Sequence, residues 1–270
     1  MPARAYQSHT EESLAEDSYF ISLSDLMVGL LFIFIIILMA FSISYRSAED
    51  QLTNTDELRK TLLKDVQASL EKQGVKVKID EENGILHLPE SILFRSGSSK
   101  LNEEGKNNIR LLSDTLYKLL PCYSFTSPEF NKKQCKAGDK ARGRLDTVFV
   151  EGHTDDEPVG SNSRVKDNWH LSMERAIYIF DTINDFQPTI NKIRNKNKQP
   201  ILSISAYEAQ RPKTEFQALK EKKLVEELRN ARAQNRRIDL RFLMIAPKSV
   251  EVKKSKNFQP KVQELINVSN

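Results

Sequence analysis

Three sets of residues in this 270-residue chain could do chemistry. The first is one carboxylate, Asp25, the only charged side chain between Tyr19 and Tyr45. An ionised carboxylate in hydrocarbon costs several kcal/mol, so such a group is rare there and usually serves an ion path. Ser24-Asp25 would equally make a good N-cap if a helix started at Leu26, at the level of the lipid headgroups. The second set is Asp155, in the Gly- and Asp-rich run EGHTDDEPVG (151–160), and Arg175, in NWHLSMERA (168–176). A helix beginning near Asn168 would carry Arg175 one to two turns in. An aspartate and an arginine facing one cleft suit a zwitterion: the carboxylate holds an ammonium, and the guanidinium grips a carboxylate bidentately. A structural ion pair, with an aspartate capping the helix, would use the same residue types. The third set is Cys122 and Cys135, which have no neighbouring His or Cys to complete a metal site. In an oxidising compartment they could close a short loop as a disulfide, stabilising by about 3 kcal/mol. Otherwise they are two free thiols.

Other chemistry is not signalled. The histidines His9, His87, His153 and His170 are scattered, and His153 and His170 lack the spacing of a local metal pair. Gly-rich phosphate loops and nucleophile elbows are missing from the sequence. Asp155 and Asp156 alone do not make a hydrolase. Neither an enzyme nor a resident metal is expected. Charged residues make up 29% of the chain, yet the formal net charge is only +4. Without a basic stripe interleaved with aromatics, nucleic acid is not expected as a partner.

These groups need elements to position them. Residues 26–41 are almost wholly aliphatic or Phe, and a helix over 19–45 would span about 40 Å, enough to cross a bilayer with some tilt. Tyr19, Phe20 and Tyr45 stand where interfacial aromatics belong. A cleaved signal peptide would have a basic leader and a shorter apolar run. Here the preceding residues include Glu11, Glu12, Glu16 and Asp17. Arg4 on one side against Arg46, Arg59, Lys60 and Lys64 on the other would leave the C-terminal part in the cytoplasm. Long downstream domains, however, translocate largely regardless of charge.

Residues 47–73 carry Leu52, Leu58, Leu62, Val66 and Leu70 at helical spacing, a narrow apolar stripe among charges. This predicts a solvated linker helix, a helix paired with its dimer mate, or a plug lying on the membrane. From Gly74 the pattern turns to strand: Val75, Val77 and Ile79 alternate, Asn83-Gly84 signals a hairpin, and 85–88 returns. A helix is predicted over 101–120, then a long polar insertion over 121–144. A strand over 147–150 and a helix over 171–183 come after it. Next come a strand over 201–206, one highly charged helix over 215–233, and a last strand over 238–245. Such alternation indicates a single α/β sandwich, with helices covering one face of a sheet. The expected organisation is a tail (1–18), a membrane helix (19–45), a linker or plug helix (46–73), a folded domain (74–246) and a polar tail (247–270).

Four segments carry a family resemblance: LFRSGSSKL (93–101), GHTD (152–155), NWHLSMERA (168–176) and NRRIDL (235–240). In this order they resemble the OmpA-like peptidoglycan-binding domain. The resemblance implies a mixed sheet with helices on one face. It also implies that Asp155 and Arg175 clamp the diaminopimelate of a stem peptide, with Thr154, Asn168 and Leu171 beside them. The segment SLSDLMVGLLFIFIIILM (22–39) is similar to the membrane helix of MotB-type stator subunits, which has an Asp just before Leu-Met. In that family this Asp carries the proton or sodium ion of the channel, which gives the role to Asp25. The same resemblance implies a homodimer inside a ring of a multi-span MotA-like partner. No cofactor is implied beyond translocated H+ or Na+. The N-terminus would be cytoplasmic, and the C-terminal domain periplasmic, on a bacterial inner membrane.

The chain departs from flagellar MotB in three places. Its N-terminal tail is acidic, residues 121–144 and 215–233 are expansions, and AYEAQRP (206–212) replaces the YGE-type turn. On these departures it looks more like ZorB, the MotB-like subunit of the Zorya anti-phage system. A flagellar stator and a passive wall-anchored tether are the alternatives.

Overall fold

The computed structural model describes residues 5–94, 98–128, 130, 131, 133, 135, 141–160 and 164–245, side chains excepted at 5–22 and 47–52. The chain divides into two compact units, Met1–Leu52 with Pro247–Asn270, and Thr53–Ala246. The expected C-terminal tail lies outside the described residues.

Helix α1 (Ala5–Glu71) begins in the first unit. Along Leu23–Arg46 its window of high hydropathy is 0% buried. Its large apolar side chains there are 43% to 71% exposed. Water opposes so much contiguous apolar surface, and a helix from the core of a soluble domain would hide it. Among the described residues this is the one helix long and apolar enough to cross a membrane. Asp25 lies well inside α1, so the N-cap reading of that residue fails.

The second unit is built on a mixed five-stranded sheet in the order β1-β2-β5-β3-β4. β1 (Lys78–Asp80) and β2 (Ile85–Pro89) form a hairpin whose turn holds Gly84 at φ +71°, a left-handed conformation open to glycine. β3 (Leu145–His153) runs parallel to β4 (Leu202–Glu208) and antiparallel to β5 (Arg237–Met244), which also pairs antiparallel with β2. Two helices cover one face. α2 (Glu103–Leu119) is capped by Asn102, whose side chain accepts from Gly105 N at 2.6 Å. α3 (Asn168–Phe186) is capped by Asp167, whose side chain accepts from His170 N at 2.9 Å. Strand alternation sends Leu86, Leu88, Val148, Val150, Leu240 and Phe242 into one core with Leu112, Leu116, Ile179 and Ile183 of these helices, all 2% exposed or less.

Three expectations need correcting. First, of the segment 46–73 expected as a separate linker or plug, residues 53–73 belong to the folded domain. Leu62, Leu63, Val66 and Leu70 are 0% exposed within the same core, and the compact unit begins at Thr53, not at 74. Leu63 widens the stripe into a face broad enough to bury, so the C-terminal part of α1 is a third helix of the domain. Second, the charged helix expected over 215–233 is two helices, α4 (Gln217–Glu221) and α5 (Val225–Asn235). Lys223 breaks them with φ +55°, and Leu224 N donates to Leu219 O at 3.1 Å, a left-handed helix stop. Third, the insertion does not begin as a solvated loop: residues 121–124 are buried. Cys122 and Cys135 are joined by a 2.05 Å S–S bond.

Leu70→Ala should lower the unfolding free energy by about 2–5 kcal/mol in denaturant titrations. Lys72→Ala, at an exposed site just beyond the helix, should change it by less than about 0.5 kcal/mol. Equal, negligible effects would return 46–73 to the status of a linker.

Candidate functional site

The site forms where β3 ends. A Cβ on Gly152 would stand 1.9 Å from the carbonyl oxygen of Ser172, so only glycine lets α3 lie this close to the strand. That approach brings Arg175, two turns into α3, beside the turn at Thr154 and Asp155. Thr154 N donates to Glu208 O at 3.0 Å and ties the turn to the end of β4. Glu208 itself sits at φ +51°, a left-handed conformation costing a non-glycine residue roughly 1–2 kcal/mol. The AYEAQRP segment thus makes its tight turn without a glycine.

A cleft of about 730 Å³ opens there, lined by Thr154, Asp155, Asn168, Leu171 and Arg175 together with Glu90, Ser98, Lys100, Arg164, Glu174 and Arg236. The structure therefore gathers the five residues that the resemblance assigns to peptidoglycan. Asp25 belongs to the other unit, and the Cys122–Cys135 pair does not line the cleft. Residues 95–97 of the LFRSGSSKL motif lie outside the described residues. Asn168 Nδ2 donates to the carbonyls of Asp155 (3.2 Å) and Glu157 (2.7 Å), and Glu157 N donates to Asp155 Oδ1 at 3.1 Å, which fixes the turn. Thr154 Oγ1 is buried without a hydrogen bond among the described residues.

Asp155 and Arg175 do not pair with each other. Arg175 is 1% exposed. Its Nε donates to Ser98 O at 3.0 Å, and its Nη2 is bound to Glu90 Oε1. Glu90 Oε2 accepts from Arg236 Nε at 2.5 Å, and Arg236 Nη1 reaches Asp155 Oδ2 at 2.6 Å. Four buried or half-buried groups make one chain of alternating charge, Arg175–Glu90–Arg236–Asp155. Burial pulls the Arg175 pKa down, against the opposing pull of Glu90. For Arg236, burial lowers the pKa, but hydrogen bonds to Asp155 and Glu90 outweigh it and hold the value up.

Sequence reasoning assigned no role to Glu90 or to Arg236. The available signal was the one charged residue in the mostly apolar run LPESILF (88–94), since a carboxylate buried among such neighbours needs a cationic partner.

The α4–α5 insertion is strapped to the rim of this cleft. Arg232 Nε donates to Asp156 Oδ1 at 2.8 Å and its Nη1 to Glu157, while Lys220 also pairs with Asp156. Burial would raise the Asp156 pKa, but Arg232 and Lys220 more than reverse it.

The opposite face of the sheet carries a second ion network. Glu151, His153 and Asp239 present ligand atoms within 4.8 Å of one another, a spacing open to a metal ion. Their charges are already met. Arg241 grips Glu151 at 2.8 and 2.9 Å, Arg237 Nε meets Asp239 at 2.9 and 3.1 Å, and His87 Nδ1 donates to Asp239 at 2.6 Å. A divalent cation would face two guanidinium groups, so the donor set suits a structural network better than a metal. His153 Nε2 lies 3.3 Å from Asp239 Oδ2 but out of line, and neither ring nitrogen is hydrogen-bonded among the described residues. Burial lowers the His153 pKa, outweighing the nearby carboxylates. Burial pushes Asp239 up, but the hydrogen bonds from His87 and Arg237 hold it well below the usual carboxylate range.

Both shifts make stability depend on pH, with the same sign. Below about pH 6.5 the unfolded chain protonates a histidine that the folded chain keeps neutral, and below about pH 4 an aspartate that the folded chain keeps ionised. Unfolding free energy should therefore fall in two limbs as pH drops. His153→Gln should flatten the upper limb only, as read from denaturant midpoints at pH 8, 6, 5 and 3.5.

Comparison with protein-family models finds no match, and neither does comparison with curated proteins. Solved structures similar to the chain include a MotB-like protein from Desulfovibrio vulgaris, 18% identical over 75% of this chain and 99% of its own, with a TM-score of 0.45. The periplasmic domain of Helicobacter pylori MotB is 21% identical over 69% and 83%, with a TM-score of 0.38. The cell wall anchor of the T6SS from Pseudomonas aeruginosa is 18% identical over 68% and 97%, with a TM-score of 0.44.

Proposed function

We propose that the chain is a single-pass stator subunit of an ion-driven motor in the bacterial inner membrane, anchored to peptidoglycan. The observation that carries this reading is the cleft. Asp155 and Arg175 form the two ends of one charge chain, and both ends line the cavity. The free end of a diaminopimelate side chain carries an ammonium and a carboxylate on one carbon. Asp155 takes the ammonium and Arg175 the carboxylate, while Asn168 holds the turn and Thr154 and Leu171 complete the wall. The Cys122–Cys135 disulfide supports an oxidising compartment for this domain, against the Lys and Arg count around the apolar helix. The N-terminus is then cytoplasmic.

Two copies place their apolar helices inside a ring of a MotA-like multi-span partner. Asp25, exposed within α1, takes up and releases H+ or Na+ as the partner turns. The grip on the wall keeps this subunit still. The acidic tail and the insertions favour a ZorB-type role in anti-phage defence over flagellar motility. A passive tether would use the same cleft and leave Asp25 idle.

Asp25→Asn should abolish phage protection, or motility, in cells carrying the MotA-like partner, at unchanged protein level. Full activity of that variant would reduce the protein to a tether. Asp155→Asn, which keeps size and loses charge, should weaken retention on purified sacculi by about tenfold or more in pelleting assays. Unchanged pelleting would remove the anchor.

A further inference from the structure

We infer that Glu90 is a positioning residue that sets the cleft's selectivity for a zwitterionic ligand end, an inference that rests on the ligand reading above. Its two oxygens are divided between two arginines, Oε1 to Arg175 and Oε2 to Arg236. Its main chain is fixed as well, because Glu90 N donates to Arg236 O at 3.0 Å. Glu90 therefore sets where both guanidinium groups lie relative to Asp155, and the Phe94 ring, 5.1 Å from the Arg175 guanidinium, supports the same placement.

The charge order gives this placement its consequence. Along the chain the signs run plus, minus, plus, minus, so the interior cancels while the ends show Arg175 and Asp155. A ligand with an ammonium and a carboxylate at matching separation closes the ring, and every charge then has two opposite neighbours. An amine without the carboxylate leaves the Arg175 end unmet in a desolvated pocket, which costs affinity. Discrimination between a diaminopimelate and a lysine in the stem peptide depends on Arg175 standing in register, and Glu90 holds the register.

The test is calorimetric titration of the full-length protein in detergent with soluble stem peptides of the diaminopimelate and lysine types. The unmodified protein should prefer the first by about tenfold or more. Glu90→Asp keeps the charge but is one methylene too short to reach both arginines. Arg236→Lys, at a side chain 30% exposed, keeps the charge but cannot span Glu90 and Asp155 with one ammonium. Both variants should lose most of the preference while keeping a cooperative thermal transition. If they weaken both peptides equally and keep the ratio, Glu90 is only structural and the inference is overturned. If the unmodified protein binds neither peptide, the ligand reading itself fails, an outcome distinct from the first.

Discussion

A guanidinium that is 1% exposed has to be met by a carboxylate, and in this chain that requirement reaches across most of the domain. Losing one partner of such a pair typically costs about 3–5 kcal/mol, because a buried charge is left uncompensated. The partner of Arg175 comes from the far end of the sequence map: Glu90 lies just after β2, Arg236 just before β5, and Asp155 just after β3. The strand order β2-β5-β3 makes these three neighbours at one end of the central strands, and the registers Pro89↔Arg237 and His153↔Arg237 bring their ends level. Helix α3 then needs only the close approach permitted by Gly152 to lower Arg175 onto them. The cleft is a product of topology, not of any one motif.

The same sheet separates two kinds of cohesion. One face packs aliphatic side chains against three helical segments, including the end of α1. The other holds Asp239 and Glu151, 0% and 1% exposed, between arginines contributed mainly by β5. Such a network adds little net stability compared with a well-packed apolar layer, but it penalises any slip of register that would part the charges. The strands that frame the cleft are thereby held in one alignment.

How much could be read from the sequence depends on how local each signal is. Asp155 and Arg175 lie within two short motifs whose residue types suggest a clamp for a zwitterion, and the resemblance of those motifs adds Thr154, Asn168 and Leu171, all without knowledge of the sheet. Glu90 and Arg236 are 146 residues apart in sequence and become visible only once β2 and β5 are paired. β3 runs Leu145–His153, well beyond the apolar 147–150, because the buried Glu151 is satisfied across strands by Arg241 and not by water. Leu63 made the difference between a stripe and a face on α1. The helix start at Ala5 decided against the cap at Asp25, which spacing alone had left open. The break at Lys223 had no glycine or proline to announce it.

The disulfide gives the domain a property that no side-chain contact supplies. A cross-link closing a loop of this size, 13 residues in separation, contributes about 3 kcal/mol, a large share of the 5–15 kcal/mol that holds an ordinary domain together. Because it persists only where thiols are oxidised, the domain is looser in a reducing cytosol and tighter outside it. The polypeptide is thus easiest to unfold before the staple forms and hardest to unfold once it has closed. One pair of sulfur atoms thereby couples the domain's resistance to unfolding to the redox state of its surroundings.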